Sequence, residues 1–192
     1  MSKSAANEDQ ELDEHGLVVH TYVSTVLVVV PSERYAETTL RYARSALYNV
    51  HVGTHTVSTV EDRILHGELQ DELQADGLLK DASLDDHSGI LFCGGPGALE
   101  LAQDPDAQRL AREAFAQDKL VGAWGEAVLI LGRAGVLKKR KVTADRLLAK
   151  ELAGAGAKVV SHQVVVDKKL VTSIDDSAGL RFGKALVQLV RI

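Results

Sequence analysis

The chain has a single cysteine, Cys93, among 192 residues, so no disulfide can form within it and no cysteine-built zinc cage is available. It lacks any uninterrupted apolar stretch of the ~18 residues that a membrane span needs. Its start, MSKSAANEDQELDEHG, is acidic and has no apolar signal-peptide core. Aromatic residues are scarce at 4%, and 22 Lys and Arg against 27 Asp and Glu leave a net charge of −5. That balance argues against a nucleic-acid surface, where clustered cations must neutralise phosphates. What is present is ordinary globular material, 45% apolar, in a length that suits one domain with a core large enough to need no staples. The expectation is an untargeted cytoplasmic protein with no membrane contact, no nucleic acid and no cofactor.

Residues 1–16 carry five acidic groups, one lysine and one large aliphatic, Leu12. They bury too little to offset ordering entropy, so a disordered acidic tail is expected there and one domain over 17–192. The Val/Leu run that closes at Pro31 reads as a strand buried on both faces. Ala36, Leu40, Ala43 and Leu47 then fall on one helical face within 32–50. Val50 and Val52 suggest a short second strand; 53–88 are less readable, with Thr and Val near 54–60 suggesting a strand or hairpin and LQDELQADGLLKD polar and irregular. GILFCGGPGA is a strand entering a glycine-rich turn. The next segment predicts a helix with Asp104 as cap, Pro105 in its first turn, and a buried stripe of Ala107, Leu110, Ala111, Ala114 and Phe115. LVGAW is a strand, GEAVLILGRAG a short helix, KKRKVT a linker and ADRLLAKELAGAG a helix. Two strands flank a turn at 167–169, and a helix through Phe182 and Leu186 closes the chain. Strands alternating with helices imply an α/β fold with a mostly parallel sheet and helices on both faces.

In such sheets ligands sit beyond the carboxyl ends of strands. Gly94, Gly95 and Gly97 follow one strand and can turn backbone N–H groups toward an anion, or form a tight turn alone. Gly125 and Glu126 follow another and open a helix directly. A sharp strand-to-helix turn of this kind exposes a nucleophile in many hydrolases. Here it holds glycine, and Glu126 is equally suited to complement the helix dipole. Cys93, at a strand end beside the glycines, is either a reactive thiol or an inert buried one. His51 and His55 share a face if the second strand continues, but no further ligands accompany them, so no metal site is expected. Lys138 to Lys141 read as a solvated connection without interleaved aromatics.

Taken in order, AET (36–38), ILFCGGPGA (90–98), DKLVGAW (118–124), LILGRAGVLKKRKVT (129–143), AGAKVV (155–160) and VVVDKKLVTS (164–173) resemble the ThiJ/PfpI superfamily, over about residues 24–190. The resemblance implies a flavodoxin-like three-layer sandwich, usually a homodimer. It also implies a nucleophilic cysteine on the elbow, often followed by histidine, a supporting glutamate after the first strand, and an oxyanion hole of backbone amides. Matched residue by residue, the supporting glutamate is Glu37, the oxyanion loop contains Gly94 and Gly95, the elbow cysteine falls on Gly125 and the histidine on Glu126. Asp145 takes a position where many members carry a His or an aromatic residue. The scaffold is present without its thiol.

The function this implies is a catalytically degenerate member that binds a small anionic or carbonyl ligand or a protein partner. The alternatives are a slow hydrolase or lyase with Glu37 as acid or base, and a redox sensor at Cys93. Glu37, Glu126 and Asp145 are expected to converge on one pocket, where like charges would raise a carboxyl pKa.

Overall fold

The computed structural model describes residues 22–61 and 63–190. The tail expected over residues 1–16 lies outside them. In chain order the elements begin with β1 (Ser24–Val29), β2 (Glu33–Tyr35), α1 (Glu37–Tyr48), β3 (Val52–Ser58), β4 (Ile64–Gly67), β5 (Glu72–Gln74) and β6 (Gly77–Leu78). Then come β7 (Gly89–Phe92), α2 (Ala98–Leu101), α3 (Pro105–Ala116), β8 (Leu120–Trp124), α4 (Val128–Arg133) and β9 (Lys141–Val142). The chain closes with α5 (Arg146–Gly154), β10 (Lys158–Val159), β11 (Val164–Asp167), β12 (Leu170–Ser173) and α6 (Gly179–Leu189).

The main sheet runs β11-β12-β8-β7-β1-β3-β6, and every pairing is parallel except β11 with β12. Side chains alternate across a strand, so the apolar run in β1 serves both layers. Val26 and Val28 pack with Leu40, Ala43 and Leu47 of α1 and with Phe182 and Leu186 of α6. Leu27 and Val29 pack with Leu110 and Ala114 of α3 and Ile130 of α4. Both faces of the sheet are therefore covered, which explains why the strand reads as apolar without interruption. Among the described residues no helix is long and apolar enough to cross a membrane.

The start of α3 follows its sequence signals: Asp104 accepts from the amides of Asp106 and Ala107 at 2.8 and 3.0 Å, with Pro105 first in the helix. By contrast, α1 begins at Ala36, which offers no capping side chain. A residue far along the chain replaces it: the Asp176 carboxylate accepts from Thr38 N–H, 138 positions away, at 2.9 Å and from Thr39 N–H at 2.6 Å. This carboxylate at a helix N-terminus also ties α1 to the turn before α6. Removing two charge-assisted bonds of this kind costs about 2–3 kcal/mol. Asp176→Ala is therefore expected to melt ~5–10 °C below wild type, with Asp176→Asn between the two, by circular dichroism.

Three sequence readings are corrected. Residues 33–35, expected at the head of the first helix, form β2 instead, because the chain there pairs with β4. Within 53–88, the strand expected near 54–60 is β3, but the part read as polar and irregular supplies β6 at the edge of the main sheet and β5 of a small separate sheet, β2-β4-β5. The basic connection at 138–141 is not merely a linker, since Lys141 and Val142 pair in parallel with Lys158 and Val159.

Candidate functional site

The carboxyl ends of β1, β7 and β8 converge on one backbone crossing. Cys93 N–H donates to Val29 O at 2.9 Å, and Ala36 N–H donates to Gly94 O at 2.8 Å. The loop after β7 is thereby pressed against the segment before α1. At Gly95 the backbone has φ +101, and a Cβ there would lie 2.4 Å from Arg34 O and 2.6 Å from Ala36 N. Gly94 and Gly97 are held similarly close, to Trp124 O and Glu33 O. The tight-turn reading of this loop therefore holds whatever else the loop does.

The chain turns out of β8 at Gly125, where φ is +55, and passes through one 3-10 turn (Gly125–Ala127) into α4. Among the described residues, and apart from its chain neighbours, a Cβ built on Gly125 would meet only Gly95 N at 3.9 Å and Gly94 Cα at 4.0 Å. The elbow thus faces the glycine loop and has room for a side chain it does not carry. The next residue fills part of that space. Glu126 Oε2 accepts from Gly95 N–H at 3.2 Å, so an amide expected to face a ligand is already satisfied by the chain's own carboxylate.

The other candidates are placed differently. Cys93 is fully buried, and its Sγ lies 3.5 Å from Ala36 O and 3.6 Å from Gly94 O. Burial, reinforced by the nearby Asp176 charge, pushes the thiol well above its ordinary range. Full burial and the raised thiol pKa both favour the inert reading of Cys93 over the reactive one. Glu37, the first residue of α1, is 4% exposed, and its Oε1 accepts from Leu69 N–H at 2.8 Å and Asp71 N–H at 3.0 Å. It anchors the β4–β5 turn and lines a cleft of about 270 Å³ with Tyr35, Arg44 and Asp71. Burial, then the Asp71 and Glu37 charges, push the Tyr35 hydroxyl up to about 12. Asp145 is exposed and caps α5, accepting from Leu147 N–H at 2.8 Å. The three carboxylates expected to converge are each engaged with a different backbone segment. The structure brings together Gly94, Gly95, Gly125 and Glu126; Glu37 bonds the β4–β5 turn through Oε1 while its charge is still felt at Cys93, and Asp145 caps α5.

Two features escaped the sequence reading. Asp176, described above, has no local pattern that pairs it with α1. His51 and His55 do not share a strand face, because His51 precedes β3 in a turn at φ +59. His55 instead meets His87, with ring centroids 5.6 Å apart, in a cavity of about 450 Å³ at the opposite end of the sheet. There His87 Nδ1 bonds the Thr25 hydroxyl at 2.8 Å, and burial, then His55, lower the His87 pKa. Among the described residues no three His, Cys, Asp or Glu side chains gather as a metal-ligand set.

Comparison with known proteins supplies the lineage. The model of the DJ-1/PfpI family matches residues 24–189. The chain belongs to the DJ-1/PfpI family. A relative, the uncharacterised protein MJ0967 of Methanocaldococcus jannaschii, is 26% identical over 168 residues, covering 86% of this chain and 82% of its own. Deglycase PfpI of Pyrococcus furiosus is 26% identical over 117 residues, 61% of this chain and 70% of that one. Among solved structures, a ThiJ/PfpI domain protein from Brachyspira murdochii superposes with a TM-score of 0.83 at 22% identity, covering 88% of this chain and 96% of that one. The DJ-1/PfpI fold, a flavodoxin-like α/β sandwich, is thus the architecture seen here.

Proposed function

We propose that this DJ-1/PfpI protein is catalytically degenerate and binds a small carbonyl compound at the Gly95–Gly125 crossing without thiol chemistry. One observation carries the reading: the elbow keeps a φ of +55 and open space above it, yet offers no nucleophile, and the adjacent Gly95 amide is occupied by Glu126. Resemblance places the family cysteine on Gly125 and the following histidine on Glu126, so both members of that pair are replaced. An anionic ligand would have to displace the Glu126 carboxylate against its own charge, whereas a neutral carbonyl faces no such repulsion. A relative named a deglycase makes small carbonyl compounds the class to try first.

The alternative of Glu37 as general base is weakened by its engagement, since Oε1 already accepts two backbone amides. The test is turnover of a small carbonyl panel, methylglyoxal included, by wild type and Gly125→Cys. Wild type is expected to be inert and Gly125→Cys to gain turnover, because the elbow geometry and space for the thiol are in place. Wild-type turnover above the uncatalysed rate overturns the degenerate reading. Binding is read separately from the fluorescence of Trp124, the chain's only tryptophan and the residue before the elbow. A saturable change with hydroxyacetone supports the ligand class, and its absence overturns it.

A further inference from the structure

The basic stretch at 138–141 joins a larger cationic surface that the elbow does not involve. Lys141 pairs in register with Lys158 across the β9–β10 sheet, setting like charges side by side. Lys139 N–H donates to Gly156 O, and the Lys138 backbone packs on Gly156. Lys141 N–H donates to Asp167 Oδ2 at 2.7 Å, which brings the stretch against the turn that holds Lys168 and Lys169. Two carboxylates answer these charges: Asp118 pairs with Lys169, and Asp167 lies 3.8 Å from Arg140. Lys138, Lys139, Lys141, Lys158 and Lys168 are exposed and form no ion pair among the described residues. Lys139 and Lys168 hold positive φ, at 64 and 59, where Gly or Asn would be less strained. A protein of net charge −5 therefore gathers unneutralised lysines at one end of its sheet.

We propose that this lysine-rich end is a docking surface for an acidic peptide segment, and that its occupant is the stretch Glu8–Glu14 of the same chain. Charge complementarity is the first argument, since EDQELDE carries five carboxylates and no cation. Position is the second. The parallel register aligns Val26 of β1 with Gly89, Gly89 with Leu120, and the neighbouring Val121 with Leu170. Lys168 and Lys169, which precede Leu170, thus lie at the sheet end where the chain enters β1, three strand spacings or roughly 14 Å across. The eight residue steps from Glu14 to Tyr22 can span up to roughly 26 Å, enough to reach. Tethering is the third, because it raises the local concentration of the segment to about millimolar and favours it over free polyanions. The aromatic ring that lines this end, Phe115, lies under the Arg140 guanidinium at 5.5 Å, so it offers no platform for stacked bases.

The test is lysine acetylation footprinting by mass spectrometry on the full chain. Wild type is compared with a variant carrying Glu8→Gln, Asp9→Asn, Glu11→Gln, Asp13→Asn and Glu14→Gln. At low salt, acetylation of Lys139, Lys141 and Lys168 is expected to rise roughly two- to fivefold in the variant, as for a tethered segment near its affinity. The difference should vanish in about 1 M salt, where the screening length is ~3 Å, and Lys184 should react alike in both proteins. Equal reactivity at low salt overturns the proposal. Protection that grows with protein concentration also overturns it, by assigning the occupant to another copy. Stronger protection of the neutralised variant by a DNA duplex or by phosphatidylserine vesicles than the wild type's own segment provides overturns it in favour of a different polyanion.

Discussion

Gly95→Ala is expected to destabilise the protein by about 3–5 kcal/mol, while the same exchange at Gly125 costs only about 1–2 kcal/mol. Both glycines hold positive φ, so an alanine is strained at either. The difference lies in what surrounds the added methyl. At Gly95 it would overlap Arg34 O at 2.4 Å and Ala36 N at 2.6 Å, and backbone atoms on the segment before α1 have no rotamer by which to withdraw. At Gly125 the nearest atoms are 3.9 Å away, in ordinary contact. Against a typical total stability of about 5–15 kcal/mol, the Gly95 variant is expected to unfold at far lower urea than wild type and Gly125→Ala at only slightly lower. Equal midpoints for the two variants would show that the crossing of these loops is looser than the geometry requires. The result bears on function, since it separates the glycine kept for packing from the elbow that keeps its shape with space to spare.

A second large effect is expected at Glu37. Its carboxylate is the acceptor for Leu69 and Asp71 amides, and Gly67 packs so closely that a Cβ there would lie 1.8 Å from Oε1. Truncation to alanine leaves both amides unanswered beside a void, at a cost of about 3 kcal/mol or more. In thermal melts this is a fall of roughly 6–12 °C for a protein of this size. Glu37→Gln keeps an accepting oxygen and the shape, and is expected to lose about 1 kcal/mol. Hydrogen exchange supplies the local readout: the Leu69 and Asp71 amides should lose protection in Glu37→Ala and keep most of it in Glu37→Gln. A glutamine variant that is stable and protected yet no longer binds hydroxyacetone would instead place Glu37 in the ligand site.

How much of this was legible in the sequence depends on whether the determining contacts are local. Helix α3 was readable because Asp104, Pro105 and the Ala/Leu stripe lie within one segment and each acts on its own helix. Strand β1 was readable because burial on both faces leaves an unbroken apolar run. Strand β2 was not, since three residues with two exposed side chains become a strand only by meeting β4, some thirty positions later. The site divides in the same way. The glycine loop and the elbow announce themselves through glycine at strand ends. The direction in which Glu37 makes its bonds is set by the β4–β5 turn, and the capping of α1 by Asp176 joins residues far apart in the chain. Convergence of Glu37, Glu126 and Asp145 was an inference from topology; the backbone donor that each carboxylate meets could not be read from the sequence.

The edges of the main sheet carry a consequence for solution behaviour. On one side the last strand, β11, runs against its neighbour, with the short β9–β10 pair lying beside it. On the other side, β6 offers only Gly77 and Leu78. A strand from another molecule finds too few consecutive free peptide groups at β6 to pair with, and at β11 meets a margin bordered by lysine. Growth of the sheet from molecule to molecule, the usual route from a well-folded β-layer to fibrils, is therefore blocked at β6 and hindered at β11. Between copies of this protein, edge-to-edge pairing of the main sheet is the disfavoured mode of contact.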